Sequence, residues 1–237
     1  MTIPFTSGPS AAAAAAAAGH TRLHTSLLAG PEKRALVWMA QRMPAWVNSD
    51  HLSALGLVSM AGVGASFWLG GTRPEVGLPL VVVCLAVNWF GDSLDGTVAR
   101  VRNRQRPRYG FYLDHVIDIA GEAMMLAGLA LSGYMSPLIA AVTLSAWLLV
   151  MGECFLATCS RGMFRMSFWW FGPTELRILI AIGALALLRG GMVHTLGMGP
   201  YRLFDIGGVC ATTGLVSVFI VNAVRNTAAL YREETNW

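Results

Sequence analysis

The sequence predicts an all-α membrane protein in which six transmembrane helices follow an interfacial amphipathic helix. Of its 237 residues, 55% are hydrophobic and only 13% are charged, and the mean hydropathy is +0.55. Soluble domains carry roughly 25% charged residues, so this composition is typical of a membrane protein. Uncharged stretches approaching 20 residues, the length that crosses a bilayer, also recur along the chain. The length suits one domain.

The N-terminal region is predicted to lie outside the bilayer. Residues 1–30 form a flexible tail with an alanine run at 11–18, and no basic segment precedes that run as it would in a secretory signal peptide. Residues 31–47 mix apolar and basic side chains and include Trp38 and Trp46. This pattern predicts an amphipathic helix lying in the membrane interface.

Six apolar stretches form the predicted membrane domain, residues 48–228, and residues 229–237 form a C-terminal tail. The stretches are 52–69, 78–99, 111–134, 137–159, 176–188 and 204–224. The fifth is short, but six crossings place 14 of the 17 Lys and Arg residues on the side of the two termini. The positive-inside rule therefore predicts a multi-pass protein with both termini in the cytoplasm.

One polar stretch, residues 92–118, interrupts the apolar pattern at a predicted cytoplasmic loop. Helical spacing puts Asp92 and Asp95 on one face of the second span, and Asp114 and Asp118 on one face of the third. Two antiparallel helices would bring these pairs together. Carboxylates inside a membrane need a partner, and hard divalent cations with oxygen ligands supply one. The five arginines between the pairs suit phosphate groups.

The spacing Asp-x2-Asp-Gly-x2-Ala-Arg-x9-Gly-x3-Asp-x3-Asp, from Asp92 to Asp118, resembles the signature of the CDP-alcohol phosphotransferase family of integral membrane enzymes. Members of that family usually have eight residues where this chain has nine, 101–109. The resemblance implies transfer of a substituted phosphoryl group from a CDP-linked donor to an acceptor alcohol, with release of CMP. Among CDP-linked donors the resemblance favours CDP-diacylglycerol, whose phosphatidyl group would be transferred.

The resemblance also implies roles for individual residues. Two divalent cations, Mg²⁺ or Mn²⁺, would be bound by the four aspartates Asp92, Asp95, Asp114 and Asp118. Asp118 would in addition be the catalytic general base. The positions that match contacts to the cytidine diphosphate are Asp95, Gly96, Ala99, Arg100 and Gly110.

Five residues near the predicted site are candidates for binding the acceptor or a lipid headgroup: His115, Arg161, Arg165, Glu175 and Arg177. Glu175 and Arg177 could instead hold each other. The Asp-His pair formed by Asp114 and His115 is similar to that of the choline/ethanolamine phosphotransferase branch. Transfer from a CDP-amino-alcohol to diacylglycerol is therefore the alternative function.

The resemblance further implies a homodimer in a bacterial inner or plasma membrane, and no nucleic acid partner is expected. Two more distant classes stay open. Asn88, Asp92 and Asp95 come near the first aspartate motif of UbiA-type polyprenyl transferases, although the second pair follows after only 18 residues. A cation transporter would also line its path with carboxylates, but five arginines beside that path are electrostatically unfavourable.

Overall fold

The computed structural model describes residues 29–161, 172–190, 192–194 and 200–235. These residues form seven helices and one two-stranded antiparallel hairpin. The helices are α1 (Ala29–Arg42), α2 (Ser49–Gly70), α3 (Pro74–Val101), α4 (Pro107–Ser132), α5 (Pro137–Arg161), α6 (Pro173–Leu187) and α7 (Leu203–Glu234), and the strands are β1 (Met192–His194) and β2 (Pro200–Arg202). Arg165 and residues 1–28 of the predicted tail lie outside the described residues.

Five helices, α2, α3, α4, α5 and α7, are long and apolar enough to cross a membrane. The predicted fifth span corresponds to α6, which has 15 residues. At 1.5 Å per residue this helix is about 22 Å long, less than the ~30 Å hydrocarbon core. The count of six spans therefore stays a prediction. Helix α7 continues to Glu234, so the predicted boundary at 228 falls within a helix.

The helix ends follow local sequence signals. Four helices begin with a proline, whose missing N–H is not needed in the first turn: Pro74, Pro107, Pro137 and Pro173. Helix α2 begins with a reciprocal cap, in which Asn48 Oδ1 accepts a bond from the His51 backbone N–H at 2.9 Å. Gly133 ends α4 with a φ of +78°, a conformation that favours glycine.

Helix α2 packs along both α3 and α4, and these three helices form the centre of the fold. The α2–α4 crossing depends on the absence of side chains, because a Cβ on Gly128 would collide with the backbone of Gly64. The buried core around this crossing includes Val63, Phe67 and Met125. Gly128 is thus buried against another helix of the same chain, where small residues allow close approach of membrane helices.

Helices α5 and α7 lie side by side and run in the same direction. At their first residues the Ser136 backbone N–H donates to Asp205 Oδ1 at 2.6 Å. Near their far ends Asn226 Nδ2 donates to Glu153 Oε1 at 2.6 Å. Since the two helices are parallel, the chain between them must return to the end of the bundle where α5 began.

Helix α1 packs one face on the bundle and leaves the other uncovered. Ala40 is buried with Leu94 and Val98 of α3. On the opposite side Trp38 is 56% exposed, and the Arg42 guanidinium lies 4.3 Å from the centre of its ring. A helix thus occupies most of the predicted amphipathic segment, and its position in a membrane interface stays a prediction.

Candidate active site

Three of the four predicted aspartates converge where α3 ends and α4 begins. One carboxylate oxygen each from Asp92, Asp114 and Asp118 lies within 4.8 Å of the other two. Asp92 belongs to α3, and the other two are one turn apart on α4. All three side chains are half-buried rather than enclosed. The helical spacing and the short loop at 102–106 therefore bring these carboxylates together as predicted.

Asp95 lies beside this cluster without joining it. Its Oδ2 accepts a hydrogen bond from Ser53 Oγ of α2 at 2.7 Å, and its Oδ1 accepts from the Gly96 backbone N–H. Electrostatic interactions couple it to Asp92 and Asp114. The site therefore consists of three clustered carboxylates with the Asp95 carboxylate beside them. The role of Asp95 as a cation ligand stays a prediction.

The cluster has a fixed positive partner, Arg177 of α6. Its Nη2 lies 2.6 Å from Asp92 Oδ2, and its Nε donates to Asn88 Oδ1 at 2.8 Å. Asn88 is buried and donates in turn to the Gly56 carbonyl oxygen of α2 at 3.0 Å. Arg177 therefore joins α6 to the acidic cluster, whereas Glu175 accepts a bond from the backbone N–H of Gly172 at the start of α6.

The residues predicted to contact cytidine diphosphate lie beside the cluster where α3 ends and α4 begins, and the exposed end of these two helices, residues 99–110, is called the mouth below. A Cβ on Gly110 would meet nothing within 4 Å, and one on Gly96 would meet first the Arg100 guanidinium at 3.4 Å. Ala99 is partly exposed, and Arg100, which donates to Thr97 Oγ1 at 2.9 Å, is exposed. The geometry leaves space for a ligand here, and the assignment stays a prediction.

Two of the five loop arginines, Arg102 and Arg106, contact residues that precede α3 in the chain. Arg102 donates to the backbone carbonyls of Met43 and Pro44, at 2.8 and 2.9 Å, and to that of Val47. Arg106 pairs with Asp50, and its guanidinium lies 4.3 Å from the Tyr109 ring centre. These contacts fix the loop against the α1–α2 connection. Arg104 and Arg108 are exposed at the same mouth.

His115 lies behind the carboxylates rather than at the mouth. It is buried, with Nδ1 2.7 Å from the Phe111 carbonyl oxygen and 3.9 Å from Asp114 Oδ2. The rings of Phe111 and Phe155 pack against it. The buried position and the two aromatic rings keep an acceptor away from the imidazole. These surroundings favour a role for His115 in positioning Asp114. The predicted acceptor contact is untested.

Arg161 is held by α7. Its Nη1 donates to Asn226 Oδ1 at 2.8 Å, and its Nη2 lies 3.4 Å from Glu233 Oε1. Asn226 also donates to the buried Glu153 carboxylate. These contacts give Arg161 a structural function between α5 and α7, and its predicted headgroup contact stays a prediction. Arg165 lies outside the described part of the chain.

Sequence reasoning does not single out Glu32, which connects three helices at the site. Its Oε1 accepts hydrogen bonds from Trp89 Nε1 of α3 at 2.8 Å and from Thr174 Oγ1 of α6 at 2.9 Å. Trp89 immediately follows Asn88, and Thr174 lies one turn before Arg177. Glu32 of α1 therefore braces the two helices that carry the Arg177–Asp92 pair.

The donor set fits a hard divalent cation. Three carboxylates within reach of one another are the oxygen ligands that Mg²⁺ and Mn²⁺ prefer, and they need positive charge because they repel each other. Arg177 offsets only part of that charge. The residues could therefore hold a divalent cation and leave ligand positions open for phosphate oxygens.

One comparison with known proteins identifies a family. The family model described as CDP-alcohol phosphatidyltransferase matches residues 50–222, well over half of the 237 residues. The matched range holds all four aspartates, Arg177 and the helices from α2 into α7. A search of curated proteins finds no match.

Proposed function

The chain belongs to the CDP-alcohol phosphatidyltransferase family, and from this premise we propose that it transfers the phosphatidyl group of CDP-diacylglycerol to an acceptor alcohol. The family's members are membrane transferases of substituted phosphate groups, which use a CDP-alcohol donor and an alcohol acceptor. Because the chain belongs to this family, the polyprenyl transferase and cation transporter interpretations are set aside. The observation that carries the proposal is the convergence of Asp92, Asp114 and Asp118 beneath an open, arginine-rich mouth.

The three clustered carboxylates would hold the divalent cations that the family uses, with Asp95 as a further ligand. Two Mg²⁺ or Mn²⁺ ions would neutralise the diphosphate of the donor and the charge that develops on departing CMP. Arg177 keeps Asp92 directed into the cluster, because its guanidinium bonds both that carboxylate and Asn88. Asp92 is thereby oriented before any ligand arrives.

Asp118 is the proposed general base. Its carboxylate would accept the proton of the acceptor hydroxyl while the hydroxyl oxygen attacks the phosphorus that bears diacylglycerol. A new phosphorus–oxygen bond forms, the bond from that phosphorus to the CMP oxygen breaks, and CMP leaves with the electron pair.

The cytidine end of the donor would lie at the open mouth. Gly96 and Gly110 leave room for it, and Arg100 offers a cation at the exposed end of α3. Asp95 and Ala99 complete the set that matches the family positions. Arginine suits a diphosphate because its planar guanidinium donates two parallel hydrogen bonds. Cytidine specificity itself rests on the family.

Of the five acceptor candidates, Arg177 has the strongest structural support. Arg177 bonds Asp92 of the cluster, whereas Arg161 and Glu175 bond residues outside the cluster. His115 is enclosed by aromatic rings. The remaining candidate, Arg165, would face the same cytoplasmic side as the mouth if the predicted topology holds.

Six crossings with both termini in the cytoplasm remain the proposed topology. The parallel course of α5 and α7 supports it, since residues 162–202 must return across the bundle. Helix α6 begins at the acidic cluster and carries Ala184 and Leu187 into the core with Leu78, near the other end of α3. Cysteine labelling from each side of a sealed vesicle tests the orientation.

A homodimer is also proposed, as the family resemblance implies. Helix α7 supports it, because only 6% of an 18-residue apolar stretch of this helix is buried within one chain. Cys210 is exposed on that helix. Cross-linking between Cys210 residues of two chains in native membranes tests whether α7 lies at the interface.

The decisive experiment follows CMP release by purified protein in lipid with Mg²⁺ or Mn²⁺. CDP-diacylglycerol would be supplied with a panel of alcohols, and CDP-choline or CDP-ethanolamine with diacylglycerol in a second arm. Acceptor-dependent CMP in the first arm supports the proposed reaction. CMP only in the second arm would establish the alternative branch, and CMP in neither arm would refute both reactions for these acceptors.

A further inference from the structure

One carboxyl group inside the bundle has no place in the reaction described above, that of Glu122. It lies on α4 four residues after Asp118 and eight after Asp114. Residues at this spacing share one helix face, so the three carboxyl groups form a single stripe. Glu122 lies about 6 Å deeper along the helix axis than Asp118, at 1.5 Å per residue.

The surroundings of Glu122 direct it into the bundle. Its neighbours on the helix surface, Gly121, Met125 and Leu126, are buried, and Met60 of α2 packs over Gly121. The Glu122 carboxyl is enclosed by protein, yet the side chain keeps some accessible surface. Glu122 therefore continues the line of carboxyl groups from the three-carboxylate cluster into the bundle.

Glu122 also differs from the other acidic residues within the bundle. Asp95 accepts a hydrogen bond from Ser53, and the Glu153 carboxylate accepts one from Asn226. Within the described part of the chain, Glu122 has no hydrogen-bond or ion-pair partner. An enclosed carboxyl group without a partner is unfavourable, so a partner from outside the chain would stabilise it.

We propose that Glu122 binds a second polar group of the acceptor, a hydroxyl or an ammonium, while the reacting hydroxyl lies at Asp118. This inference rests on the proposed function and names its acceptor class: a polyol or an amino alcohol, whose two ends are separated by a short carbon chain. An acceptor ending in a phosphate is disfavoured, because the Glu122 carboxylate would repel it. Glu122 is then a specificity-determining residue of the same site.

The test compares wild type, Glu122→Gln and the control Glu75→Gln, which alters an exposed carboxylate at the other end of α3. Four acceptors are used with CDP-diacylglycerol: glycerol, 3-amino-1-propanol, 1-propanol and glycerol 3-phosphate. Wild type should have lower KM values for glycerol and 3-amino-1-propanol than for 1-propanol and glycerol 3-phosphate. Glu122→Gln should raise the KM for 3-amino-1-propanol about tenfold, the effect of losing one charged hydrogen bond.

Three further measurements separate this role from a structural one. The KM for CDP-diacylglycerol and the Mn²⁺ affinity should be the same in Glu122→Gln and wild type. The melting temperature of the variant should be no lower, because an unpartnered carboxyl group has been removed. Glu122→Leu, which cannot hydrogen-bond, should also raise the KM for glycerol. Glu75→Gln should match wild type with every acceptor.

Active protein whose acceptor KM values are unchanged by Glu122→Gln would overturn the inference and leave the proposed function intact. A wild-type preference for 1-propanol or glycerol 3-phosphate would also overturn it. Wild type that releases no CMP from any donor and acceptor pair would instead overturn the proposed function, and this inference with it.

Discussion

Arg177 and Asp92 form an ion pair of 2.6 Å between α6 and α3, and their side chains are only 17% and 27% exposed. We expect Arg177→Met to lower the free energy of unfolding by about 1–3 kcal/mol, because Asp92 and Asn88 each lose a partner in a shielded site. Thermal unfolding in lipid nanodiscs measures this change. Arg189→Met, which alters an exposed arginine just after α6, is the matched control. Equal melting of the two variants would contradict the prediction.

The affinity of the acidic cluster for divalent cations should fall when one of its carboxylates is removed. We expect Asp114→Asn to weaken Mn²⁺ binding at least about tenfold, since a neutral amide replaces one of the three proposed carboxylate ligands. Electron paramagnetic resonance of free Mn²⁺ reports this affinity without any turnover. Glu75→Gln, which lies away from the cluster, should bind Mn²⁺ as wild type does.

Removal of divalent cations should abolish CMP release reversibly. Chelation with EDTA is expected to stop turnover, and added Mg²⁺ or Mn²⁺ should restore it, because the phosphate charges otherwise remain uncompensated beside three carboxylates. Steady CMP release in excess EDTA, after the loss of bound metal is verified by elemental analysis, would rule out the proposed cation requirement.

Asp118→Asn should abolish turnover while leaving the protein folded. General base catalysis is typically worth about 10²–10⁴-fold in rate, and an amide accepts no proton under these conditions. The single-turnover rate of CMP release gives the effect on chemistry, and the melting temperature gives the effect on folding. Near-normal turnover in this variant would remove Asp118 as the base, whatever its part in cation binding.

The convergence of Asp92 with Asp114 and Asp118 was predictable because it follows from local rules. Helical periodicity fixes which residues share a face, and a short loop forces α3 and α4 to be antiparallel. The partners of the site were not predictable in this way. Ser53 and Asp95 are 42 residues apart, and Glu32 and Thr174 are 142 apart. Such contacts depend on how the helices pack, which single-sequence periodicity does not specify.

Span counting was limited for a related reason. Hydropathy places the five long spans well, but α6 has only 15 residues. The proposal that α6 crosses the bundle draws on tertiary contacts, those that make α5 and α7 parallel. Arg177 shows the same limit, since its position at the start of α6 was compatible with an acceptor contact or a bond to Glu175, and its partner is Asp92, 85 residues away.

The contact between Gly64 and Gly128 gives the last prediction, which concerns the position of α4 and so of two of the three clustered aspartates. A Cβ on Gly128 would overlap the Gly64 backbone, so Gly128→Ala should force α2 and α4 apart. We expect a loss of about 1–3 kcal/mol of stability, the usual effect of overpacking, measured by thermal unfolding. Gly152→Ala is the matched control, because a Cβ there meets nothing within 4 Å. If both variants melt like wild type, the two helices are not in backbone contact at Gly128.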